Sequence, residues 1–287
     1  MTSAWGLGMY ERNGLDATFT SNVTPVAGFP LTRLNNRRLQ SRVRFDSGLS
    51  SLQITMHLGA NAGQQLNVGM LHGNFSVTAR CRFQIALTGS FVGADVLYDS
   101  NPGGAGSWPL MQDISLDVGN FAIYAPPFGK TIPFLNTGNS VAGDYVRWTI
   151  DDASNPDGYV EVGIADAGLL FQPSLRTFDE SWVTSADPVG QGAPGDDQFP
   201  MHKVLRWHEF EQSWLTATER ARLHSHLLSY GPRGRMLFLP RPFSPETWRL
   251  DAIWSVCASQ PKFSAVPKQS WLDRFKFEKL KFLEVDE

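Results

Sequence analysis

Cysteine is nearly absent: Cys81 and Cys257 are the two thiols among 287 residues. Two cysteines make neither a disulfide framework nor a Cys-based zinc site. Each sits in an alternating apolar run, which predicts a buried free thiol. Charge of one sign is missing too, since 25 Lys and Arg face 28 Asp and Glu for a net charge of −3. A nucleic-acid surface normally shows as a basic excess or stripe, so no nucleic-acid partner is expected. No apolar run approaches the ~18 residues of a membrane-crossing helix, so no membrane span is expected either. The opening Met1–Gly6 has no basic stretch leading into an apolar core, so a secretion signal is not expected. The sequons at Asn22 and Asn74 then read as chance.

Turn residues, by contrast, are plentiful: 26 glycines and 18 prolines accompany 42% hydrophobic and 18% charged residues. That composition fits a folded chain leaning toward β structure, long enough for one large domain or two modest ones. Up to about residue 175 the pattern has period two. Leu52, Ile54, Met56 and Leu58 alternate with Gln53, Thr55 and His57. Leu66, Val68 and Met70 repeat the alternation, then Cys81, Phe83, Ile85 and Leu87, then Ile114, Leu116 and Val118. Val146, Trp148 and Ile150 follow, and Val160, Val162 and Ile164 close the series. Successive side chains of a strand face opposite ways, so these runs predict an antiparallel sandwich over residues 1–175. Three Gly/Pro-rich stretches, 99–108, 125–133 and 184–200, are expected to be loops.

The character changes at about residue 201, and residues 176–287 are expected to form a second, α+β unit. His202–Trp214 reads as one long strand whose alternation slips between Trp207 and Phe210. Thr216-Ala-Thr-Glu219 has capping-box spacing and opens the one clear helix. Ala217, Ala221, His224, Leu227 and Leu228 form its predicted stripe, and Gly231-Pro232 ends it. Strands are expected near 234–240, 247–258 and 270–285. In the last, Phe275 and Phe277 share one parity while Leu280 and Phe282 share the other, which predicts a bulge at Glu278-Lys279.

Chemistry-bearing patterns are few. Gly129-Lys130-Thr131 lacks the glycine a phosphate loop needs five places earlier, where Tyr124 stands. No nucleophile elbow occurs, and the six histidines are scattered. Asp151-Asp152 and Asp196-Asp197 are expected to be solvated turn residues, because adjacent side chains diverge. The chain is therefore expected to be no enzyme and to need no metal or cofactor. Trp108, on a glycine-rich loop, is a candidate sugar contact. Trp148, Trp207, Trp214, Trp254 and Trp271 lie in or beside strands and read as core or interface. In the C-terminal strand Trp271, Phe275, Phe277, Leu280 and Phe282 are too many apolar groups for one sheet face. They are the candidate subunit interface.

The order of segments carries a resemblance. Phe19-Thr-Ser-Asn-Val-Thr, then Gly28-Phe-Pro-Leu-Thr-Arg-Leu, then Ser41-Arg-Val-Arg-Phe45 resembles the opening of discoidin-like (galactose-binding-like) jelly rolls. Gly73–Arg82 and Tyr145–Gly163 continue the likeness, with Ile164-Ala-Asp-Ala standing where that pattern has a basic Gly-Arg turn. The whole run, followed by a long strand and the Thr-Glu-Arg-Ala-Arg-Leu helix, is similar to minor or distal tail proteins of tailed bacteriophages. The resemblance implies a galactose-binding-like jelly roll over 1–175 and a tube-like, ring-forming domain over 176–287. It implies a virion structural protein of the tail tip, made in the host cytoplasm and joined to tube, hub and tape-measure proteins. A homo-oligomeric ring, sixfold by the same resemblance, belongs to that expectation. The alternative is a carbohydrate-binding adhesin that recognises a host-surface glycan.

Overall fold

The computed structural model describes residues 6–9, 16–36, 38, 40–76, 78–100, 131–135, 140–172, 183–189, 203–230, 235–239, 253–258, 262–265 and 274–284. The described residues are mostly strand, and they group into two compact units: Gly6–Phe171, and Gln172–Phe238 with Ile253–Asp286.

The first unit is an antiparallel jelly-roll β-sandwich. One sheet holds β2 (Thr18–Ser21), β4 (Leu52–His57), β11 (Tyr145–Asp151), β7 (Arg80–Ala86) and β8 (Val96–Asp99), hydrogen-bonded in that order. The other holds β1 (Gly6–Met9), β12 (Val160–Phe171), β6 (Val68–Gly73) and β9 (Thr131–Leu135), with β3 (Val43–Phe45) also on β12. A small ribbon pairs β5 (Gln65–Leu66) with β10 (Val141–Ala142). Neighbours such as β4, β11 and β7 are far apart in the chain, so crossovers rather than hairpins alone close the sandwich. Alternation does the sorting. Leu52, Ile54 and Met56, Cys81, Phe83 and Ile85, and Val146, Trp148 and Ile150 are all fully buried in one core, as their period predicts. Leu71, Ala165 and Ala167 meet them from the other sheet. The Phe83 ring tilts against Trp148 at 5.7 Å and against Tyr98 at 6.0 Å. Cys81 and Cys257 are both buried free thiols.

Three expectations for this unit need correction. Residues 125–133 are not loop throughout, because Thr131–Leu135 is a strand with Pro133 opposite Met70. β9 is the last described strand of its sheet, and among the described residues a missing N–H there costs no ladder bond. Ile164–Ala167 is no turn either; it continues β12 after a register shift between Val162 and Ile164. Asp152, expected in water, is 1% exposed. Its carboxylate accepts bonds from the Ser76 N–H (3.1 Å), the Ser76 hydroxyl and the Asn155 amide (2.8 Å), while its own N–H donates to Leu49 O at 2.7 Å. A buried carboxylate survives when such donors replace water. Here it ties together the loops after β6 and after β11.

In the second unit the sheet order is β13 (Val183–Val189), β14 (Lys203–Thr216), β18 (Arg274–Glu284), β16 (Ile253–Cys257) and β15 (Arg235–Leu239), with β17 (Lys262–Ala265) also on β18. The long strand from about residue 202 is present as β14. Residues 184–189, expected in a loop, instead pair along β14, with Pro188 opposite Val204 on the outermost described strand. Residues 190–200 lie outside the described residues. The bulge falls where parity predicted it. Phe210 faces Leu280 and Gln212 faces Phe277, so three residues of β18 span two of β14 at Glu278-Lys279. Leu215 then faces Phe275, which places a compensating extra residue in β14.

The capping box is formed ahead of α1 (Ala217–Tyr230). Thr216 N–H donates to Glu219 Oε2 at 2.8 Å, and Glu219 N–H donates to Thr216 Oγ1 at 3.1 Å. The predicted stripe is largely overturned. Leu223, His226 and Leu227 are buried, whereas Ala217, Ala221 and His224 are exposed and Leu228 is 66% exposed. Only Leu227 was placed on the correct face. The i, i+3, i+4 spacing of 223, 226 and 227 makes one face, and sheet packing chose it over its rival.

Candidate binding surface

The outward face of the five-stranded sheet is set by the same alternation that built the core. With Ile54 and Met56 inward, Thr55 and His57 face out; with Val146 and Trp148 inward, Tyr145 and Arg147 face out. Pairing then assembles rows across strands. Thr18, His57 and Tyr145 share one row. Thr20, Thr55, Arg147, Gln84 and Asp99 share the next. Thr149 and Arg82 continue the face.

His57 and Tyr145 stack at 4.4 Å between centroids with 16° between planes, and both rings are half-buried. The Arg147 guanidinium lies 3.8 Å from the centroid of Phe91. Its Nε–H donates to Thr55 Oγ1 at 3.3 Å, and Nη2 donates to Gly89 O at 3.1 Å. Phe91 belongs to the β7–β8 loop and holds φ at 54°, a left-handed conformation that costs a non-glycine residue roughly 1–2 kcal/mol. Thr88 and Ser90 hydroxyls donate to Asp95 Oδ2 at 2.7 and 3.3 Å, and Leu87 N–H donates to Asp95 O at 2.9 Å. These bonds brace the loop that carries the strained ring. Val92 beside it is 69% exposed.

Arg82 and Arg147, both on this face, have their pKa values pushed in opposite directions. Arg82 donates through Nε (2.8 Å) and Nη2 to the two oxygens of Asp99, and that bond pushes its pKa up. Arg147 is pushed down, first by burial and then by the like charge of Arg82. Among the described residues, no group of three or more His, Cys, Asp or Glu side chains stands together as a metal site. The surface offers preformed rings, hydroxyls and a guanidinium fork, which suit recognition.

The residues singled out from sequence fare differently. Trp108 and Trp271 lie outside the described residues. Phe275 is half-buried, with the Arg220 guanidinium 4.5 Å from its ring centroid. Phe277 sits on β18 opposite Gln212 and Phe263. Leu280 and Phe282 are fully buried, and Phe282 stacks on Phe238 at 4.5 Å and 11°. Both are buried within the second unit. The Arg147 surface was not anticipated. Its one sequence signal is polar residues alternating with the apolar ones of β4 and β11.

No protein-family model and no curated protein matches the chain. Solved structures do. One is a CBM32 module of a family 31 glycoside hydrolase from Clostridium perfringens, with TM-score 0.39 and 9% identity over 56% of this chain and 99% of that one. A second is the family 32 carbohydrate-binding module of C. perfringens NanJ in complex with galactose, with TM-score 0.37 and 6% identity over 58% and 99%. A third is chitosan-binding module 1 of a chitosanase/glucanase from Paenibacillus sp. IK-5, with TM-score 0.36 and 15% identity over 56% and 97%.

Proposed function

We propose that the jelly-roll unit is a non-catalytic carbohydrate-recognition module. The observation that carries this reading is the outward face of β4 and β11. There the stacked His57–Tyr145 pair and the Phe91-backed Arg147 stand beside the hydroxyls of Thr18, Thr20 and Thr55. A sugar ring presents apolar C–H patches and a rim of hydroxyls. It is matched by rigid aromatic surface flanked by donors and acceptors that need no reordering on binding. A glycan array probed with the labelled chain tests this. Retention of saccharides, lost in a folded His57→Ala/Tyr145→Ala variant, is expected; retention of none refutes the reading.

A second, compatible reading is that the chain is a structural protein of a bacteriophage tail tip, with residues 176–287 forming a ring that contacts tube, hub and tape-measure proteins. It is supported by segment order: a jelly roll, then the 14-residue strand β14, then a box-capped helix. Cryo-EM of an intact particle that holds no copy of the chain near the tail tip would remove it.

A further inference from the structure

We infer that the surface around Arg147 takes an anionic saccharide through one carboxylate, that of a hexuronic residue. This deepens the carbohydrate reading above and rests on it. Arg42 donates to Glu161 at 2.9 Å, Arg44 to Asp46 at 3.0 Å, and Arg82 to Asp99 through two bonds. Arg147 has no carboxylate partner among the described residues. Its partners there are a hydroxyl, a backbone carbonyl and a ring, all neutral. The carboxylate of the Phe91 loop, Asp95, is engaged by Thr88 and Ser90.

A guanidinium kept half-buried with neutral partners is a charge held ready for a counter-charge from outside. Burial and Arg82 both disfavour its charged form, and an anion at the fork relieves each of them. Geometry selects how the anion sits. Of five N–H groups, the described residues engage two, which leaves three donors of the planar fork without a partner among the described residues. That fork matches the two oxygens of a carboxylate side by side. Stacking on Phe91 and the bond to Thr55 hold the plane still, so little is lost in ordering it. Stoichiometry selects the charge. Asp99 is already engaged by Arg82, so among the described residues Arg147 is left to receive one negative charge.

The test compares one oligosaccharide in two chemical forms. An oligogalacturonate and the same oligomer with its carboxylates reduced to alcohols are titrated calorimetrically into the full chain. The acidic form is expected to bind at least about tenfold more tightly. That preference should shrink as salt rises from ~0.05 to ~0.5 M. Arg147→Gln should abolish the preference, bringing the acidic form's affinity down to that of the neutral form. Thr55→Val, which keeps the charge and frees the fork, should reduce it partway, and circular dichroism checks that each variant is folded. Equal binding of both forms overturns the anionic inference and leaves the carbohydrate reading standing. No binding of either form, together with an empty glycan array, overturns both.

Discussion

Replacing Gly69 with alanine adds one methyl group where the Phe83 ring of the opposite sheet packs directly on the backbone. Gly69 lies on β6 opposite Ala167, and a Cβ there would overlap Cε2 and Cζ of the Phe83 ring and meet Cδ2 at 3.0 Å. The ring cannot swing aside: Phe83 is fully buried, with Trp148 5.7 Å and Tyr98 6.0 Å away. Alanine in a strand would ordinarily be favoured over glycine by about 0.5–1 kcal/mol through the unfolded chain's entropy. Overpacking a rigid core costs about 1–3 kcal/mol, so the clash decides the sign. A net loss of about 1–2 kcal/mol should lower the melting temperature by roughly 5 °C for a unit of this size. Phe83→Leu supplies the control. Alone it is destabilising, but combined with Gly69→Ala it removes the atoms that collide. The double variant should therefore lose less than the sum of the singles by about 1 kcal/mol or more. Urea melts followed by circular dichroism measure all four corners of the cycle. A Gly69→Ala protein as stable as its parent, or strictly additive losses, would refute the packing argument.

Two further outcomes follow from burial. Phe282→Asp should abolish folding of the second unit rather than only an assembly contact. It removes a ring stacked on Phe238 and places a charge in a fully buried site, a loss of at least ~5 kcal/mol against a typical total of 5–15. A soluble variant with the parent's melt would refute this. For Cys81, full burial pushes the thiol well above its usual ~8.5, so the native chain keeps a proton that the unfolded chain releases. Its contribution is complete below that usual value and declines as pH rises past it, by up to ~1.4 kcal/mol per pH unit. The stability of Cys81→Ala relative to the parent should therefore improve between neutral pH and about pH 9.5 in urea melts; a constant difference refutes the assignment.

Local patterns were legible wherever a local cause sufficed. The alternations around Leu52, Cys81 and Val146 place the strands and their buried faces, because a strand's two faces are decided by parity alone. The Thr216–Glu219 box needs only three residues of spacing, and the parity change between Phe277 and Leu280 is itself the bulge. Where two local readings competed, sequence had no means to choose. The helix offered an Ala221–His224–Leu228 stripe and a Leu223–His226–Leu227 stripe, and only the second met a sheet.

What sequence alone determined is therefore the mainly β character, the inward residues of the principal strands, the long strand β14, and the start of the helix after it. Each rests on neighbours within a few positions. The tertiary structure decided everything that depends on residues brought from afar. Pro133 and Pro188 sit in strands because each lies on an outermost described strand, where no second described neighbour asks for an N–H. Asp152 is buried because Ser76 and Asn155 supply donors that a turn in water would not need. Phe282 is core because Phe238 comes to meet it. Arg147 stands out for a matching reason: Arg82, on the neighbouring strand, takes the carboxylate of Asp99, and nothing local in the sequence shows which of these two arginines has no carboxylate partner among the described residues.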